Sequence, residues 1–444
     1  MQTNFSVEQL TDPDIAEVNG ILRKCVHCGF CTATCPTYVL RGDELDSPRG
    51  RIYLIKEMFE KGGTPSAPAV KHLDRCLSCL SCVSTCPSGV DYMHLVDAAR
   101  QRIDASPGTR PRTDRLLRAT LIRVMTDRKL FCLAMGLATF AKPIVGLLPR
   151  RLQPLLRLVP RHIPPPSSVL RPQVFPAEGP RVARVALLTG CVQAVIDREI
   201  NEASIRLLTR HGAEVVVAAG AECCGALSHH LGSQDHAVTK AQSAIEAWWR
   251  QTEEGGGPGL DAVVVNASGC GTTVKDYGHM LRHQDPKLAH KAEVIAKLAV
   301  DITEMIERIG LKPPTRQTGL KVAYHSACSL QHGQHIRSLP KELLVRGGFE
   351  VTDVPEGHLC CGSAGTYNLL QPELSEQLKN RKVENIESVQ PEIIAAGNIG
   401  CIVQIGSGTS IPVAHTVQLL DWATGGPPVS DPSLPARRGA AQGA

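Results

Sequence analysis

The chain has 444 residues, of which 17 are cysteine, 43% are hydrophobic and only 4% are aromatic. Its length suggests about three domains, and so few aromatic side chains argue against stacking on nucleic-acid bases, so we expect no nucleic-acid partner. The net charge of +5 conceals a basic stretch, residues 100–184, with 17 Lys and Arg against four Asp and Glu.

The first 20 residues are polar and acidic and have no apolar run. They therefore lack the pattern of a secretory signal, and we expect a cytoplasmic protein. In a reducing compartment, cysteines serve as metal ligands more often than as disulfides. Cys132 is the one cysteine outside every motif, and we expect it to be a buried core thiol.

Two cysteine runs with identical spacing occupy the first part of the chain. Residues 25–36 are CVHCGFCTATCP, and residues 76–87 are CLSCLSCVSTCP. Both follow the ferredoxin pattern for [4Fe–4S] binding, in which the fourth cysteine of each run ligates the other cluster. Zinc is the alternative for an isolated C-x2-C pair, but two complete runs closed by proline favour iron–sulfur. We expect one cluster on Cys25, Cys28, Cys31 and Cys86, and a second on Cys76, Cys79, Cys82 and Cys35.

Helical patterns surround both runs. Asp12-Pro13 is a typical helix start, and Ser47-Pro48 precedes a helix predicted over residues 51–61. Helical spacing indicates that this second helix is buried on one side, through Ile52, Ile55, Met58 and Phe59. A further helix is predicted over 92–103. The sequence therefore predicts an α-helical ferredoxin domain over residues 1–104, rather than one built on β-hairpins.

Residues 105–180 form the basic segment. Helices are predicted over 115–124 and 129–140, and a proline-rich linker over 160–180. The most hydrophobic window, 130–148, is interrupted by Lys142-Pro143 and is too short for a membrane span, which needs about 20 apolar residues. The favoured interpretation is packing on the rest of the chain or on a partner subunit. The alternative is a basic amphipathic surface resting on the inner face of the cytoplasmic membrane.

The remainder of the chain is an internal duplication. One half contains Cys191, Cys223-Cys224-Gly225 and Cys270, and the other contains Cys328, Cys360-Cys361-Gly362 and Cys401. Short β-rich runs adjoin these cysteines at 182–188, 213–218, 262–265, 321–324, 349–354 and 401–405. Helical patterns lie between them at 197–211, 233–249 and 372–386.

Alternation of strands and helices predicts two small α/β domains with parallel sheets, over 181–312 and 318–422. Ligands gather beyond the carboxyl ends of such strands, so four cysteines should meet in each half. The fold class is therefore multidomain, with an α-helical domain followed by two α/β domains. Residues 423–444 are rich in small residues and are predicted to be a disordered tail.

Each half resembles the cysteine-rich CCG domain of heterodisulfide reductases and related redox subunits. That pattern ends in C-x2-C, whereas here Ala267 and Asn398 replace the first cysteine of the final pair. The four remaining cysteines of each half can ligate an additional iron–sulfur cluster, or serve a structural or thiol-redox role; the sequence leaves both open. Glycine after each Cys-Cys pair is expected where the backbone approaches a metal closely.

Five histidines lie near these cysteines in the sequence: His229, His230, His325, His335 and His358. Each is expected to be a hydrogen-bonded core or surface residue. The alternative is proton delivery to a reduced quinone or thiol, because histidine titrates near neutral pH.

The segments 25–31, 46–52 (DSPRGRI) and 77–82 are similar to the iron–sulfur subunit family of glycolate oxidase, also called glycolate dehydrogenase. The resemblance implies an oxidoreductase complex in which flavoprotein subunits carry FAD and oxidise glycolate to glyoxylate. This chain would pass the electrons toward a quinone or other membrane-linked acceptor, without catalytic residues of its own. No G-x-G-x-x-G follows a predicted strand, which agrees with the absence of a flavin site here.

Three alternatives remain at this stage. The first is the iron–sulfur subunit of anaerobic glycerol-3-phosphate dehydrogenase, a family with the same layout. The second is a heterodisulfide-reductase-like thiol or disulfide reductase subunit whose Cys-Cys pairs perform catalysis. The third is a zinc-bound interaction protein.

Overall fold

The structure is a computed structural model that describes residues 1–141, 165 and 167–429. Its first part, residues 1–141, is helical and contains no strand, which confirms the prediction of a helical ferredoxin fold. The helices α1–α9 are Pro13–Lys24, Phe30–Ala33, Pro36–Arg41, Pro48–Lys61, Ala67–Asp74, Ser81–Thr85, Tyr92–Ala105, Arg112–Met125 and Arg128–Ala141.

The helix starts follow from capping residues in the sequence. The Asp12 side chain accepts hydrogen bonds from the backbone N–H groups of Asp14 and Ile15, and Ser47 caps α4 by accepting from Gly50. These bonds satisfy N–H groups that have no partner inside the helix. The inward face of α4 is buried as predicted, at Ile52, Ile55, Met58 and Phe59.

Two sheets form the second part of the described chain. The first has the order β1-β3-β2-β4-β5, with β1 antiparallel and the others parallel. The second has the order β7-β6-β8-β9 and is parallel throughout. The strands β1–β9 are Gln173–Phe175, Ala183–Leu188, Ala213–Val217, Ala262–Val265, Ala299–Asp301, Lys321–His325, Glu350–Asp353, Ile393–Ala396 and Val413–His415.

Helices connect these strands and cover the sheets. Helices α10–α16 are Gln193–Ile196, Glu199–Arg210, Ala226–His230, Gln234–Trp249, Ser268–Lys275, Tyr277–Met280 and Pro286–Leu298. Helices α17–α22 are Ile302–Ile309, Leu339–Arg346, Tyr367–Leu370, Pro372–Glu387, Ile399–Gly406 and Thr416–Ala423, and a π-helical turn spans Ser329–Gly333. Among the described residues, no helix combines the length and the apolar character needed to cross a bilayer.

Two local predictions differ from the structure. Residues 401–405 are not a strand but part of α21, and the strand before them is β8. A short run of apolar residues has no period that distinguishes strand from helix, which explains the error. Within the predicted linker 160–180, Gln173–Phe175 forms β1 and pairs with β3. Residues 142–164 of the basic segment, and 430–444 of the predicted disordered tail, lie outside the described residues.

A single hydrophobic core joins the two α/β units. It contains Val185 and Leu187 of β2, Val322 and Tyr324 of β6, and side chains of α11, α17, α18 and α22. Helix α11 packs directly on α22, so the helical layers of the two units are one layer. The opposite face of each sheet is covered by its own helices, in separate cores. The sheets are consequently fixed relative to each other.

Histidine–carboxylate pairs attach the helical part to the first α/β unit. The Nε2 atom of His94 lies 2.9 Å from Asp276, and its ring stacks on His279 with centroids 3.4 Å apart. Burial opposes charge on His94, but hydrogen bonds to Asp276 and Asp91 raise its pKa to about 10. His229 Nε2 lies 3.2 Å from a carboxylate oxygen of the buried Asp97.

The Asp97–His229 pair is ionic. Burial alone would raise the pKa of Asp97, but the charge on His229 and hydrogen bonds to His229 and His230 lower it well below its usual range. The pKa of His229 is raised despite burial, chiefly by Asp97. The Asp97 contribution to stability is complete above the unfolded pKa of about 4 and is lost as the pH falls. The contribution of His229 to stability begins to decline once the pH rises above its unfolded pKa of about 6.5.

We predict that Asp97→Asn lowers the free energy of opening this interface by about 3 kcal/mol, because it leaves a buried imidazolium without its partner. Hydrogen exchange of the backbone amides of α7 and α12 measures that free energy. The control is Glu254→Gln, which removes an exposed partner of His290 and should cost less than about 1 kcal/mol. If these amides were equally protected from exchange in Asp97→Asn and in the wild type, the prediction would be contradicted.

Candidate functional site

The two ferredoxin-type loops have the same backbone conformation. His27 and Ser78, which occupy equivalent positions, have φ values of 56° and 50°, and Gly29 and Leu80 have 83° and 62°. These left-handed conformations are unusual for residues other than glycine. They turn the chain tightly enough for three sulfurs of one run to face a common centre. The repetition in the sequence is therefore also a repetition in structure.

The cysteines of these loops line two adjacent cavities. Five cysteines line the first cavity and four line the second, because Cys82 lines both; when Cys82 is counted with the second, two sets of four remain. The first set is Cys25, Cys28, Cys31 and Cys86, and the second is Cys35, Cys76, Cys79 and Cys82. These groupings agree with the exchanged ligand sets expected from the sequence. Four convergent thiols around a small space fit the donor requirement of a [4Fe–4S] cluster.

A buried arginine lies beside the second set. Arg51, 1% exposed, donates a hydrogen bond to the carbonyl of His72 at 2.7 Å, and its Nη1 lies 3.7 Å from the Cys35 sulfur. Its guanidinium is 3.6 Å from Asp46, a fully buried carboxylate that also contacts His72 and Arg75. This network accounts for Asp46 and Arg51 of the 46–52 motif. The network holds the guanidinium of Arg51 beside the sulfurs of the second set, where its positive charge stabilises thiolates.

Thiols in the second cavity differ in their electrostatic surroundings. Burial raises the pKa of Cys79 and Cys82 well above the usual value. Burial acts in the same direction on Cys76, but Arg51 and Arg100 outweigh it and lower its pKa. Arg100 also donates to the Cys76 carbonyl at 2.6 Å, which fixes the loop. Cations from α4 and α7 thus offset part of the cost of burying thiolates.

A third cavity, of about 220 Å³, lies between the two α/β units and the helical part. The sulfurs that line it come from both duplicated sets: Cys191, Cys223, Cys224, Cys270, Cys328, Cys360, Cys361 and Cys401. Residues 76–78 of the second ferredoxin-type loop form part of its wall. Cys79 packs in one buried cluster with Cys360 and Cys328. The duplicated cysteines therefore lie beside the second ferredoxin-type cavity.

The adjacent cysteines of each pair turn to different partners. Cys223 hydrogen bonds to Cys191, whereas Cys224 hydrogen bonds to Cys270. In the second half, the Cys328 and Cys360 sulfurs are 3.9 Å apart, and Cys361 hydrogen bonds to Cys401. All cysteines of the described chain are free thiols. Each half thus offers four convergent sulfurs, as predicted.

The glycine after each Cys-Cys pair lies against the backbone of a neighbouring helix. Gly225 and Gly362 have φ values of 82° and 89°. A Cβ atom on them would lie 2.7 Å from the carbonyl oxygen of Ala237 and 2.6 Å from that of Ser375. The close approach of α13 and α20 is therefore sufficient to require glycine at both positions.

The five histidines have different environments. His229 pairs with Asp97, and His230 lines the third cavity. His335 and His358 are exposed. His325, 2% exposed, lies beside the sulfurs of Cys361 and Cys401.

Two further residues differ from expectation. His332 was not singled out by the sequence, because its partners Ser84 and the carbonyl of His358 come from distant segments. Cys132, expected to be a buried core thiol, is partly buried and packs against the cluster of Phe131, Met135 and Val195.

Comparisons with known proteins agree with this arrangement. Residues 24–90 match the family model of the 4Fe-4S dicluster domain, and residues 185–275 and 322–406 match that of the CCG cysteine-rich domain. The chain is 41% identical to the glycolate oxidase iron-sulfur subunit of Escherichia coli over 423 residues, covering 95% of this chain and 99% of that protein. It is 29% identical to a probable glycolate oxidase iron-sulfur subunit of Bacillus subtilis, over 91% of this chain and 95% of that protein. Lactate utilization protein A of B. subtilis is 28% identical over 54% of this chain and 99% of its own length.

We predict that Arg51→Gln lowers the midpoint potential of the cluster expected on Cys35, Cys76, Cys79 and Cys82. A unit charge at about 5 Å in an effective dielectric of about 20 is about 3 kcal/mol, so the potential should fall by roughly 100 mV. A redox titration followed by EPR measures the change. Arg51→Lys, which keeps the charge, should recover part of it.

Arg49→Gln is the matched control. Arg49 pairs with Glu44 at 2.7 Å and its side chain is 35% exposed, so solvent screens its charge. Its replacement should shift the potential of the cluster expected on Cys35, Cys76, Cys79 and Cys82 much less. Equal shifts in Arg49→Gln and Arg51→Gln would disprove the specific role of the buried guanidinium.

Proposed function

The chain belongs to the family of glycolate oxidase iron–sulfur subunits, and from that premise we propose how its residues perform electron transfer. It is the iron–sulfur subunit of an oxidoreductase complex and carries two [4Fe–4S] clusters. In the proposed reaction, partner subunits oxidise glycolate to glyoxylate, and this chain conducts the electrons away singly. The observation that carries the proposal is the adjacency of two four-cysteine cavities in the helical part.

The proposed ligands are the two sets of four cysteines described above, with the fourth member exchanged between the runs. The sharing of Cys82 by both cavity walls supports close spacing of the two centres. Each [4Fe–4S] cluster, when bound, accepts and releases one electron at a time. The protein supplies the thiolates, the nearby cations of Arg51 and Arg100, and a wall of apolar residues that excludes water.

Electrons are proposed to enter at the first cavity. Cys28 is exposed, whereas the thiols of the second cavity are buried. Val26 and Phe30 flank Cys28 in the chain and are 67% and 63% exposed. Exposed apolar side chains beside a redox centre suit the docking of another subunit. We propose that a flavoprotein subunit, which carries FAD, docks on this surface, defined here as Val26, Cys28 and Phe30.

Electrons are proposed to leave through the third cavity. Its wall is shared with residues 76–78, and its apolar lining includes Leu227, Leu231 and Leu370. We propose a quinone or another membrane-linked acceptor as the recipient. Leu133, Leu137 and Phe140 lie on one exposed face of α9 and support peripheral contact with the cytoplasmic membrane. Part of the positive charge of the basic segment is neutralised within the chain, because Arg110 and Arg118 pair with Asp74.

The named relatives support this function and give no support to the alternatives. None of them is described as a glycerol-3-phosphate dehydrogenase subunit, a thiol reductase or a zinc protein. The match to the 4Fe-4S dicluster domain also disfavours zinc at residues 24–90. Whether the duplicated cysteines hold additional iron–sulfur clusters is a separate question, because they lie outside that match.

Cys79→Ser tests the proposed electron path. It should abolish glycolate-dependent reduction of a quinone analogue by the assembled complex, while glycolate still reduces the flavin of the partner subunit. EPR should show one altered [4Fe–4S] signal. The matched control is Cys132→Ser, which changes a partly buried thiol outside both cavities and should retain the activity. Undiminished quinone reduction in Cys79→Ser would refute the path.

Phe30→Asp tests the docking surface. Removing a large apolar contact should weaken flavoprotein binding by about 1.5–3 kcal/mol, or roughly 10- to 100-fold in affinity. Binding of the purified subunits measures this change, and iron content should stay constant. The control is Phe140→Asp, which alters another exposed phenylalanine, 86% exposed on α9. A loss of affinity in Phe140→Asp alone would move the docking site to α9.

A further inference from the structure

The two duplicated cysteine sets have different surroundings. His325 is the last residue of β6, and Leu188 is the last residue of β2, the equivalent strand of the first unit. Their registers match, because Val185 pairs with Ala262 and Val322 pairs with Ile393. An imidazole therefore stands in the second unit where the first unit has an apolar side chain. The four cysteines occur in both units, but the histidine occurs only in the second.

His325 lies among the sulfurs of its unit. One ring nitrogen of His325 and the sulfurs of Cys361 and Cys401 all lie within 4.8 Å of one another. A tetrahedral metal with sulfur at about 2.3 Å and nitrogen at about 2.0 Å would place its ligands about 3.5–3.8 Å apart. The three groups can reach these separations through small side-chain movements. All three are buried, at 2%, 1% and 3% exposure.

One ring nitrogen of the imidazole has no hydrogen-bond partner in the part of the chain that the structure describes. The Nε2 atom of His325 is buried and has no hydrogen-bond partner among the described residues. An unsatisfied buried polar atom costs about 1–3 kcal/mol. His332 of the same unit differs, because its two ring nitrogens contact Ser84 at 2.7 Å and the His358 carbonyl at 3.2 Å. Hydrogen bonding explains the position of His332 but not that of His325.

A second difference between the units concerns charge. Lys382 of α20 is 2% exposed and donates a hydrogen bond to the carbonyl of Glu356 at 2.8 Å. The glycine contacts of α13 and α20 place Ala244 at the equivalent position in the first unit. The second unit therefore has a buried lysine close to Cys360 and Cys361 where the first unit has a small apolar side chain.

We propose that His325 is a metal ligand and that, together with Cys361 and Cys401, it coordinates one tetrahedral metal atom in the second α/β unit. The ligand set accommodates an iron atom of an iron–sulfur cluster or a single zinc ion. It restores a further donor in the unit where Asn398 replaces a cysteine of the CCG pattern. The proposal goes beyond the electron-transfer function and does not depend on the identity of the substrate.

The test uses the full chain purified without oxygen, with iron, sulfide and zinc counted per chain. The two ferredoxin-type clusters account for about eight irons. We expect metal in excess of that amount in the wild type. His325→Gln should lose the excess and leave both ferredoxin-type EPR signals unchanged. His325→Cys should retain the metal, because it supplies a thiolate at the same position.

Spectroscopy identifies the nitrogen ligand and the metal. If the metal is iron, pulsed EPR should detect coupling to ¹⁴N in the wild type and not in His325→Cys. If it is zinc, X-ray absorption should detect one nitrogen neighbour that is absent from His325→Cys. His332→Gln is the control and should leave the metal content and the nitrogen signature intact.

Three outcomes would overturn the proposal. The first is a wild-type chain with no metal beyond the ferredoxin-type clusters. The second is a nitrogen signature that persists in His325→Cys. The third is an equal loss of metal in His332→Gln, which would indicate a general effect on folding. Because the ferredoxin-type signals are measured separately, failure here is distinguishable from failure of the proposed electron path.

Discussion

The position of every sulfur in the second part of the chain depends on the hydrophobic core that the two sheets share. Side chains of β2 and β6 contribute to one buried cluster, and α11 packs on α22 within it. Parallel strands bring their carboxyl ends to one edge, where the cysteines follow. Because the core fixes the two edges relative to each other, both sets of four sulfurs open into one cavity. Two independent α/β units would instead have two separate sites.

The four-cysteine sets of the two α/β units are equivalent in sequence, but their electrostatic surroundings differ. Burying thiolates is unfavourable unless positive charge or metal offsets the desolvation. The second ferredoxin-type cavity has Arg51 and Arg100 for this purpose. The second α/β unit has a buried lysine, Lys382, close to its sulfurs. The first unit has a buried alanine and Leu188 at the positions of Lys382 and His325. A duplicated fold therefore supports two different sites, and the difference arises from residues that do not belong to the cysteine pattern.

The sequence was sufficient to predict the features that depend on local spacing. The ferredoxin-type runs, the caps at Asp12 and Ser47, and the strands next to most of the cysteines are confirmed. These follow from covalent reach, capping and alternation of patterns, which all operate over a few residues. The run 401–405 was assigned wrongly because its apolar residues have no diagnostic period.

The features that sequence reasoning missed depend on contacts between distant segments. The short edge strand β1 is recognisable only through its pairing with β3. That His325 has no histidine counterpart in the first unit becomes apparent only when the registers of β2 and β6 are compared. Likewise, the histidine–carboxylate interface joins α7 to residues more than a hundred positions away. Such arrangements are set by tertiary packing, for which a single sequence has no direct signal.

The cysteine sulfurs become less exposed from the first ferredoxin-type cavity to the third cavity. This gradient gives the proposed electron path a direction. Cys28 is exposed, the sulfurs of the second ferredoxin-type cavity are at most 9% exposed, and Cys361 is 1% exposed. In the proposed electron path, the flavoprotein docks at the exposed end, and the third cavity lies at the other end, between the helical part and both α/β units. The same proposal assigns the acceptor to the third cavity, whose volume of about 220 Å³ suits a small molecule. On this proposal, the difference in burial between the two ends is what assigns the large partner to one and the small acceptor to the other.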